Sequence, residues 1–212
     1  VPAEICPQVQ VLYIGAEQPM LISSEEKESR REQLGLGQSF TVGIVGRIEE
    51  TKGQHIVLEA VKKLFEQGID AKVLTVGHAM DEAYLKKLQH DYQEIGVFTG
   101  FTREAQTLMQ LCDVMVLATE NETFGLVLIE AMMCGVCVVA SRSGGPLEII
   151  DDGINGLLFK TFDSGNLAKK LTILYRDSIC RQTFAEAGRV KALECFESRK
   201  QFQQLKAILE NL

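Results

Sequence analysis

Short, continuous runs of apolar residues alternate along the chain with longer stretches in which apolar residues recur every three or four positions. Runs of the first kind are typical of strands that are buried on both faces of a parallel sheet. They cover residues 40–46, 71–77, 97–101, 113–119, 136–141 and 156–159. The second pattern predicts amphipathic helices over residues 53–68, 81–96 and 103–112. This order predicts βαβ units and therefore a Rossmann-like α/β fold with a doubly wound parallel sheet.

The two ends of the chain follow other patterns. Near the start, QVQVLYIG at residues 8–15 predicts a short strand, and the charged stretch at residues 23–37 predicts an exposed helix or loop. From about Asp163 onward the chain becomes helical, and we expect three helices that pack on the sheet or extend towards another part of the protein, at residues 166–177, 179–196 and 198–212. A length of 212 residues suits one large domain or one and a half ordinary ones, and we assign residues 1–212 to one domain.

The formal net charge is −7, with 22 Lys and Arg residues against 29 Asp and Glu residues. Proteins that bind nucleic acid usually present a broad basic surface, so no nucleic-acid partner is expected. An anionic ligand must instead be met by a few locally placed cations. The first residues lack the pattern of a secretion signal, and no apolar run approaches the roughly 20 residues that span a bilayer. The expected location is the cytoplasm, with the inner face of the membrane left open.

Six cysteines are scattered along the chain, mostly in apolar surroundings, which predicts buried and reduced thiols. They are Cys6, Cys112, Cys134, Cys137, Cys180 and Cys195. The CGVC stretch at residues 134–137 resembles a redox or zinc motif, but neither a second CxxC nor a pair of histidines accompanies it. We therefore favour structural thiols over a metal or redox site.

In an open α/β sheet, ligands bind beyond the carboxyl ends of the strands, so the loops that follow the strands are the candidate sites. After the first strand, GRIEETKG places Arg47 and Lys52 beside a predicted helix start, where Thr51 and Gln54 have the spacing of a capping box. Two cations beside free helix amides would suit a pyrophosphate, and an ordinary solvated pair of cations is an equal alternative. The sequence contains neither the dinucleotide fingerprint nor a P-loop, which disfavours NAD enzymes and NTPases.

The loop after the fourth strand carries two carboxylates, Glu122 and Glu130, eight positions apart. A helix is predicted to start within residues 123–126, which puts Glu130 one to two turns into it. The first amides would then be unpaired, namely those of Phe124, Gly125 and Leu126. Carboxylates beside such amides suit a ligand that carries both hydroxyls and phosphates, such as a nucleotide sugar. The alternative is that Glu122 stabilises the helix start and that Glu130 lies on the surface.

A third loop follows the fifth strand, where Gly144-Gly145-Pro146 interrupts the chain ahead of a short predicted helix. Paired glycines permit a ligand to approach the backbone closely, and they also form ordinary tight turns. The segment continues through Gly153 and Gly156 to the last predicted strand. Both interpretations of the glycine pair are kept.

Together, the three loops resemble the donor-binding half of a group 1 glycosyltransferase, a member of the large retaining family with the GT-B fold. The E-x7-E motif of that family is matched by Glu122 and Glu130, within the sequence FGLVLIEAMMCG. The G-R-x4-K-G element is matched by Gly46, Arg47, Lys52 and Gly53. The G-G-x-x-E-x5-G-x-x-G segment is matched, with slightly adjusted spacing, by Gly144, Gly145, Glu148, Gly153 and Gly156. The resemblance runs from about residue 9 to the end of the chain.

The resemblance implies a nucleotide-sugar donor, retention of the anomeric configuration, and a role in the biosynthesis of cell-surface polysaccharide, lipopolysaccharide or glycolipid. Arg47 and Lys52 would hold the diphosphate and stabilise it as it leaves. Glu122 and the nearby amides would hold the sugar and the diphosphate. Glu130 would accept hydrogen bonds from the ribose hydroxyls. No protein nucleophile, metal or other cofactor is implied. The implied catalytic residues are Arg47, Lys52 and Glu122. The implied donor-binding residues are Gly46, Gly100, Thr102, Thr123, Phe124, Gly125, Leu126 and Glu130.

Three departures from the family pattern accompany the resemblance. Ala118-Thr119 stands where the family often has Pro-Ser, and GHAM at residues 77–80 replaces a common G-x-G-P, which leaves His78 as either a donor-site residue or, as we favour, a loop residue. Family members also have an amino-terminal, acceptor-binding domain. We therefore expect this chain to be the carboxy-terminal domain of a longer enzyme, with little transfer activity alone. Any contact with a membrane would be made through the other domain.

Two alternatives remain open at this point. A nucleotide-sugar epimerase or a phosphorylase would share the fold, although the lysine that a phosphorylase needs for pyridoxal phosphate is not evident in the sequence. A non-catalytic interaction module would keep the fold and lose the reaction. The presence of Arg47, Lys52, Glu122 and Glu130 counts against that module.

Overall fold

All six strands predicted from the apolar runs are present and form one parallel sheet. The computed structural model of the protein describes residues 11–210. In chain order the strands are β1 (Phe40–Val45), β2 (Ala71–Val76), β3 (Gly96–Gly100), β4 (Val114–Leu117), β5 (Cys137–Ser141) and β6 (Leu157–Phe159). Their order across the sheet is β3-β2-β1-β4-β5-β6, so the direction of winding reverses between β1 and β4. The Rossmann-like, doubly wound α/β fold is therefore confirmed.

Helices connect the strands and follow the sheet at the positions that the apolar periodicity predicts. The helices of the described residues are α1 (Ser24–Gln33), α2 (Gln54–Phe65), α3 (Glu82–Asp91), α4 (Ala105–Met109), α5 (Leu126–Met133), α6 (Pro146–Ile149), α7 (Ser164–Arg176), α8 (Ser178–Cys195) and α9 (Ser198–Glu210). Aspartates cap two of the last three: the carboxylates of Asp163 and Asp177 each accept a backbone N–H at 2.8 Å. The predicted end of the last helix, at residues 211–212, lies outside the described residues.

The sheet is covered on both faces, which explains why its strands are continuous apolar runs. Successive strand residues point to opposite faces, so Val139 on β5 belongs to the core with α2 and α7, and its neighbour Val138 belongs to the core with α5. Both valines are fully buried. The two cores hold the sheet rigidly and leave the loops at its carboxyl edge to form a site.

The strand predicted over residues 8–15 is wrong for residues 11–15. Residues 8–10 lie outside the described residues, as does Cys6, and residues 11–15 are not in a strand. Ala16 instead bridges the junction of α8 and α9, where its N–H donates to the carbonyl of Phe196 at 2.9 Å and its carbonyl accepts from Ser198 N at 3.0 Å. Tyr13 packs edge-on against Phe196 at this junction, whereas Val11 and Ile14 are exposed, so the apolar residues of the segment do not belong to a sheet.

The charged stretch near the start forms helix α1, but one of its cations is buried. The Arg31 guanidinium donates hydrogen bonds to three backbone carbonyls, those of Gly37 (2.9 Å), Ser39 (2.6 Å) and Leu111 (2.5 Å). It also lies 3.9 Å from a carboxylate oxygen of Asp113. Arg31 therefore ties α1 to the start of β1 and to the segment that enters β4.

We expect Arg31→Met to lower the free energy of unfolding by about 3 kcal/mol, because it removes a buried cation and leaves its acceptors unpaired. Arg30→Met is a matched control on the same helix, since Arg30 makes only surface ion pairs with Glu26 and Glu104. The control should lose less than about 1 kcal/mol. Urea unfolding followed by circular dichroism measures both values. Equal losses in the two variants would contradict a structural role for the Arg31 contacts.

Candidate functional site

The candidate loops after β1 and β4 meet at the carboxyl edge of the sheet, where the order of the strands reverses. The loop after β1 touches the end of β4 so closely that a Cβ atom on Gly53 would lie 2.6 Å from the carbonyl oxygen of Ala118. Lys52 Nζ lies 3.6 Å from Glu122 Oε2, which is an ion pair between the two loops. Such a reversal point is the usual position of a ligand site in open α/β sheets.

The predicted capping box at the start of α2 is wrong. Residues Glu50–Lys52 form a 3₁₀ turn, and the residue that precedes α2 is Gly53, with φ +73° and no side-chain cap. The Gln54 side chain is buried and donates from Nε2 to the backbone carbonyl of Arg47 at 2.7 Å. Gln54 therefore shapes the loop that carries Arg47, a role that its T-x-x-Q spacing did not reveal.

Arg47 lies at the open side of this loop. Its side chain is 59% exposed, and its Nη2 atom lies 3.0 Å from Glu49 Oε1. The preceding residue, Gly46, donates its N–H to the carbonyl of Val76 at 2.9 Å, which joins the loops after β1 and β2. His78 contributes to the same junction through its backbone carbonyl, which accepts from Ile48 N at 2.8 Å. The neighbouring Glu49 is a residue of the site that sequence analysis did not identify.

Helix α5 begins at Leu126, the last residue of the range predicted for its start. Gly125 precedes it with φ +99°, a left-handed conformation that other residues rarely adopt. Within residues 11–210, the four amides from Phe124 to Val127 donate no hydrogen bond. The helix start is therefore a set of unpaired donors at the positive end of the helix dipole, beside the Lys52–Glu122 ion pair. The sequence predicted unpaired amides at Phe124, Gly125 and Leu126, and the structure adds that of Val127.

The glycine pair after β5 supports this loop. A Cβ atom on Gly144 would lie 2.1 Å from the carbonyl oxygen of Glu122, and one on Gly145 would lie 2.2 Å from that of Phe124. The Gly145 N–H also donates to the Glu122 carbonyl at 2.9 Å. The close approach that these glycines permit is therefore to the backbone of the E-x7-E loop. Gly144 and Gly145 therefore hold the E-x7-E loop in place through backbone contacts.

The Phe124 ring anchors the same loop to the protein interior. It stacks on Tyr13 with 5.8 Å between the ring centroids and meets Phe196 edge-on at 6.0 Å. Thr123 and Leu126, on either side, are exposed. Phe124 therefore offers its backbone amide at the site while its side chain packs away from it.

Glu130 lies in the second turn of α5, as predicted, and is half-buried. Burial raises the pKa of its carboxyl above the ordinary value of 4.5, and no neighbouring group offsets that effect. In the described part of the chain no side chain pairs with this carboxylate. An unpartnered, partly desolvated acceptor next to an anion site is unusual for a purely structural residue.

Other residues singled out in the sequence lie apart from this cluster. Gly100 ends β3, two strands from β1, and its carbonyl accepts from Gly77 N at 2.9 Å. Thr102 lies just beyond it, where its Oγ1 accepts from Glu104 N at 3.0 Å. The remaining motif positions lie on α6 and in the turn before β6, namely Glu148, Gly153 and Gly156.

Three cysteines are buried as predicted, Cys112, Cys134 and Cys137, but Cys195 is exposed. Burial raises the pKa of the Cys134 and Cys137 thiols to about 12, so both stay protonated at neutral pH. Across residues 11–210 no group of three or more His, Cys, Asp or Glu side chains is arranged to hold a metal ion. In the same range no helix is long and apolar enough to cross a bilayer.

The chain resembles known glycosyltransferases in both sequence and structure. It is 32% identical to the lipopolysaccharide core biosynthesis glycosyltransferase LpsE of Rhizobium meliloti over 68% of this chain and 42% of that protein. It superposes on HepE of Anabaena in complex with UDP with a TM-score of 0.89 and 30% identity, over 96% of this chain and 57% of the other. The chain spans about half the length of the curated relatives it matches.

A second solved structure consists of one domain only. It is the C-terminal domain of the group 1 glycosyl transferase LpcC from Francisella tularensis, with a TM-score of 0.75 and 26% identity, over 86% of this chain and 99% of the other. Residues 26–191 match the family model described as glycosyl transferases group 1. The chain therefore belongs to the group 1 family of glycosyl transferases.

Proposed function

We propose that this chain is the carboxy-terminal, nucleotide-sugar-binding domain of a glycosyltransferase, with the donor lying over the junction of β1 and β4. The observation that carries the proposal is the set of four unpaired amides at the start of α5, beside the Lys52–Glu122 ion pair. An anion such as a diphosphate would satisfy those donors and benefit from the helix dipole. The complexes of the similar protein HepE with UDP and with UDP-glucose support the same class of ligand.

Arg47 and Lys52 are assigned to the diphosphate. Each cation is now held by one carboxylate, Arg47 by Glu49 at 3.0 Å and Lys52 by Glu122 at 3.6 Å. A diphosphate carries more charge than one carboxylate and would draw both cations towards it. As the diphosphate leaves the sugar, its negative charge increases, and the two cations would then stabilise it more strongly.

The two motif carboxylates are assigned to hydroxyls. Glu130 would accept hydrogen bonds from the ribose, which gives a partner to its half-buried carboxylate. Glu122 and the amides from Phe124 to Val127 would hold the sugar hydroxyls and the near phosphate. The backbone from Gly100 to Thr102 would face the base.

For the whole protein we propose transfer with retention of the anomeric configuration. The bond between the anomeric carbon and the diphosphate oxygen breaks, and the acceptor hydroxyl oxygen bonds to the same face of that carbon. The acceptor proton passes to the leaving diphosphate, so the products are the glycoside and the nucleoside diphosphate. The scheme uses no protein nucleophile, metal or other cofactor, and the acceptor would be held by an amino-terminal domain. Assembly of cell-surface polysaccharide on the cytoplasmic side of the membrane is the proposed setting.

A nucleotide titration tests the proposed donor site. We expect saturable binding of one nucleoside diphosphate among UDP, GDP, ADP and CDP, unchanged by Mg²⁺. Lys52→Ala and Glu130→Gln should each weaken it about 10- to 100-fold, because each removes a charged hydrogen-bond partner. Calorimetry gives the affinities, and NMR amide shifts show whether residues 123–127 respond.

Arg199→Ala on α9 and Glu194→Gln on α8 are the matched controls, since both residues are exposed and lie on other elements. Their affinities for the nucleotide should equal that of the unmodified chain. Equal effects of Lys52→Ala and Arg199→Ala, or chemical-shift changes confined to other regions, would refute the assigned position of the diphosphate.

The raised pKa of Glu130 also predicts a pH-dependent stability. Below the ordinary value of 4.5 the carboxyl is neutral in both folded and unfolded chains and costs nothing. As the pH rises from there through the raised folded pKa, the unfolded chain ionises first, so this group progressively destabilises the fold. Glu130→Gln should therefore be more stable than the unmodified chain at neutral pH and lose that advantage towards pH 4. Urea unfolding at several pH values measures the difference, and a constant difference across them would contradict it.

A further inference from the structure

A basic pocket of about 520 Å³ lies at the end of the sheet that is formed by β6. Its lining residues are Arg142, Leu158, Lys160, Thr161, Asn166 and Lys170. Arg142 directly follows β5 and Lys160 directly follows β6, so the pocket opens at the same carboxyl edge as the proposed donor site. Asn166 and Lys170 reach it from the first half of α7. Three cations therefore converge in a chain whose net charge is −7.

The carboxylates near this pocket already form ion pairs or hydrogen bonds within the protein. Asp152 pairs with Arg142 through one oxygen and accepts from Leu158 N at 2.9 Å through the other. Asp163 caps α7 by accepting from Asn166 N at 2.8 Å. Lys160 and Lys170 have no carboxylate partner among residues 11–210, so their charges are available to an external anion.

Phe162 stands beside the pocket in an unusual conformation. Its φ of 64° makes it the single non-glycine residue with a positive φ in the described range. Its side chain is 60% exposed. A left-handed backbone is costly for a bulky residue, and here no burial of the ring compensates for that cost. A strained backbone that leaves an aromatic ring exposed to solvent indicates that the ring contacts a binding partner.

Helix α7 continues the same surface. Ile173 is exposed and lies three positions after Lys170 on the same side of the helix, and the exposed Lys169 lies one turn before Ile173. Leu167, Leu171 and Leu174, on the opposite side, are buried against the sheet. Exposed apolar residues thus alternate with cations around the pocket.

We propose that this surface, the β6–α7 surface (Arg142, Lys160, Phe162, Lys169, Lys170 and Ile173), docks on an anionic membrane, in contrast to the expectation from the resemblance that only the other domain would do so. A lipid phosphate would occupy the pocket, and the Phe162 ring and Ile173 would enter the boundary between headgroups and acyl chains. Each cation near such a surface contributes roughly fivefold to the affinity. A soluble phosphate compound would use the pocket alone. The exposed Phe162 and Ile173 therefore favour the lipid source.

Vesicle cosedimentation of the chain tests the proposal, with phosphatidylcholine vesicles that contain or lack phosphatidylglycerol. We expect binding only to the anionic vesicles and a loss of binding at high salt. Lys160→Gln combined with Lys170→Gln should weaken it about 25-fold, from two cations at roughly fivefold each. Lys86→Gln combined with Lys87→Gln on α3 removes the same charge from another exposed surface and should change it less than about twofold.

Phe162→Asn separates membrane binding from folding. Asparagine tolerates the left-handed conformation, so the variant should be at least as thermally stable as the unmodified chain. It should nevertheless bind anionic vesicles about fivefold more weakly, through loss of the ring. A merely structural Phe162 would give the opposite result, with lower thermal stability and unchanged binding.

The proposal is overturned if the α3 pair and the Lys160 and Lys170 pair weaken binding equally, or if anionic vesicles do not bind at all. NMR titration with inorganic phosphate distinguishes the other source of the anion. Saturable shifts at residues 160–170 without any vesicle binding would assign the pocket to a soluble phosphate compound. None of these measurements involves a nucleotide, so their outcome is independent of the proposed donor site.

Discussion

Backbone contact between neighbouring loops is the constraint on which the carboxyl edge of the sheet depends. Gly53 touches the chain after β4, and Gly145 touches the backbone of the E-x7-E loop, each at a distance that leaves no room for a Cβ atom. Loops joined in this way cannot shift independently. The unpaired amides of α5 and the backbone that carries the two cations therefore keep one relative position, so little backbone order must be gained when a ligand arrives.

The close approach of these loops also places carboxylates beside the two cations of the site and neutralises their charge. A chain of net charge −7 holds its two candidate site cations, Arg47 and Lys52, next to Glu49 and Glu122. Without those carboxylates the two positive charges would be uncompensated, and with them the four charges cancel. Under the proposed function, a diphosphate would compete with these carboxylates, and its recognition would depend on its greater charge and on the amides. Such a site would discriminate against singly charged anions.

Periodicity and motif spacing predicted the sheet, the helices and the loops of the site, because burial on two faces imposes a clear pattern on strands. Contacts between distant residues left no such pattern. Gln54 appeared to be a cap and instead supports the Arg47 carbonyl, and the burial of Arg31 within a charged stretch depends on carbonyls that only the fold brings together. The strand expected near residue 13 failed for the related reason that apolar alternation does not specify the packing partner.

The aromatic cluster behind the site gives it a native spectroscopic reporter. The chain contains four tyrosines and no tryptophan, so tyrosine emission is not masked. Tyr13 stacks on Phe124 of the E-x7-E loop, whereas Tyr84 and Tyr92 lie against the core on the other side of the sheet. A change of that loop on binding would alter the surroundings of one tyrosine selectively. Tyr13 emission would therefore report a change in the E-x7-E loop without an added label.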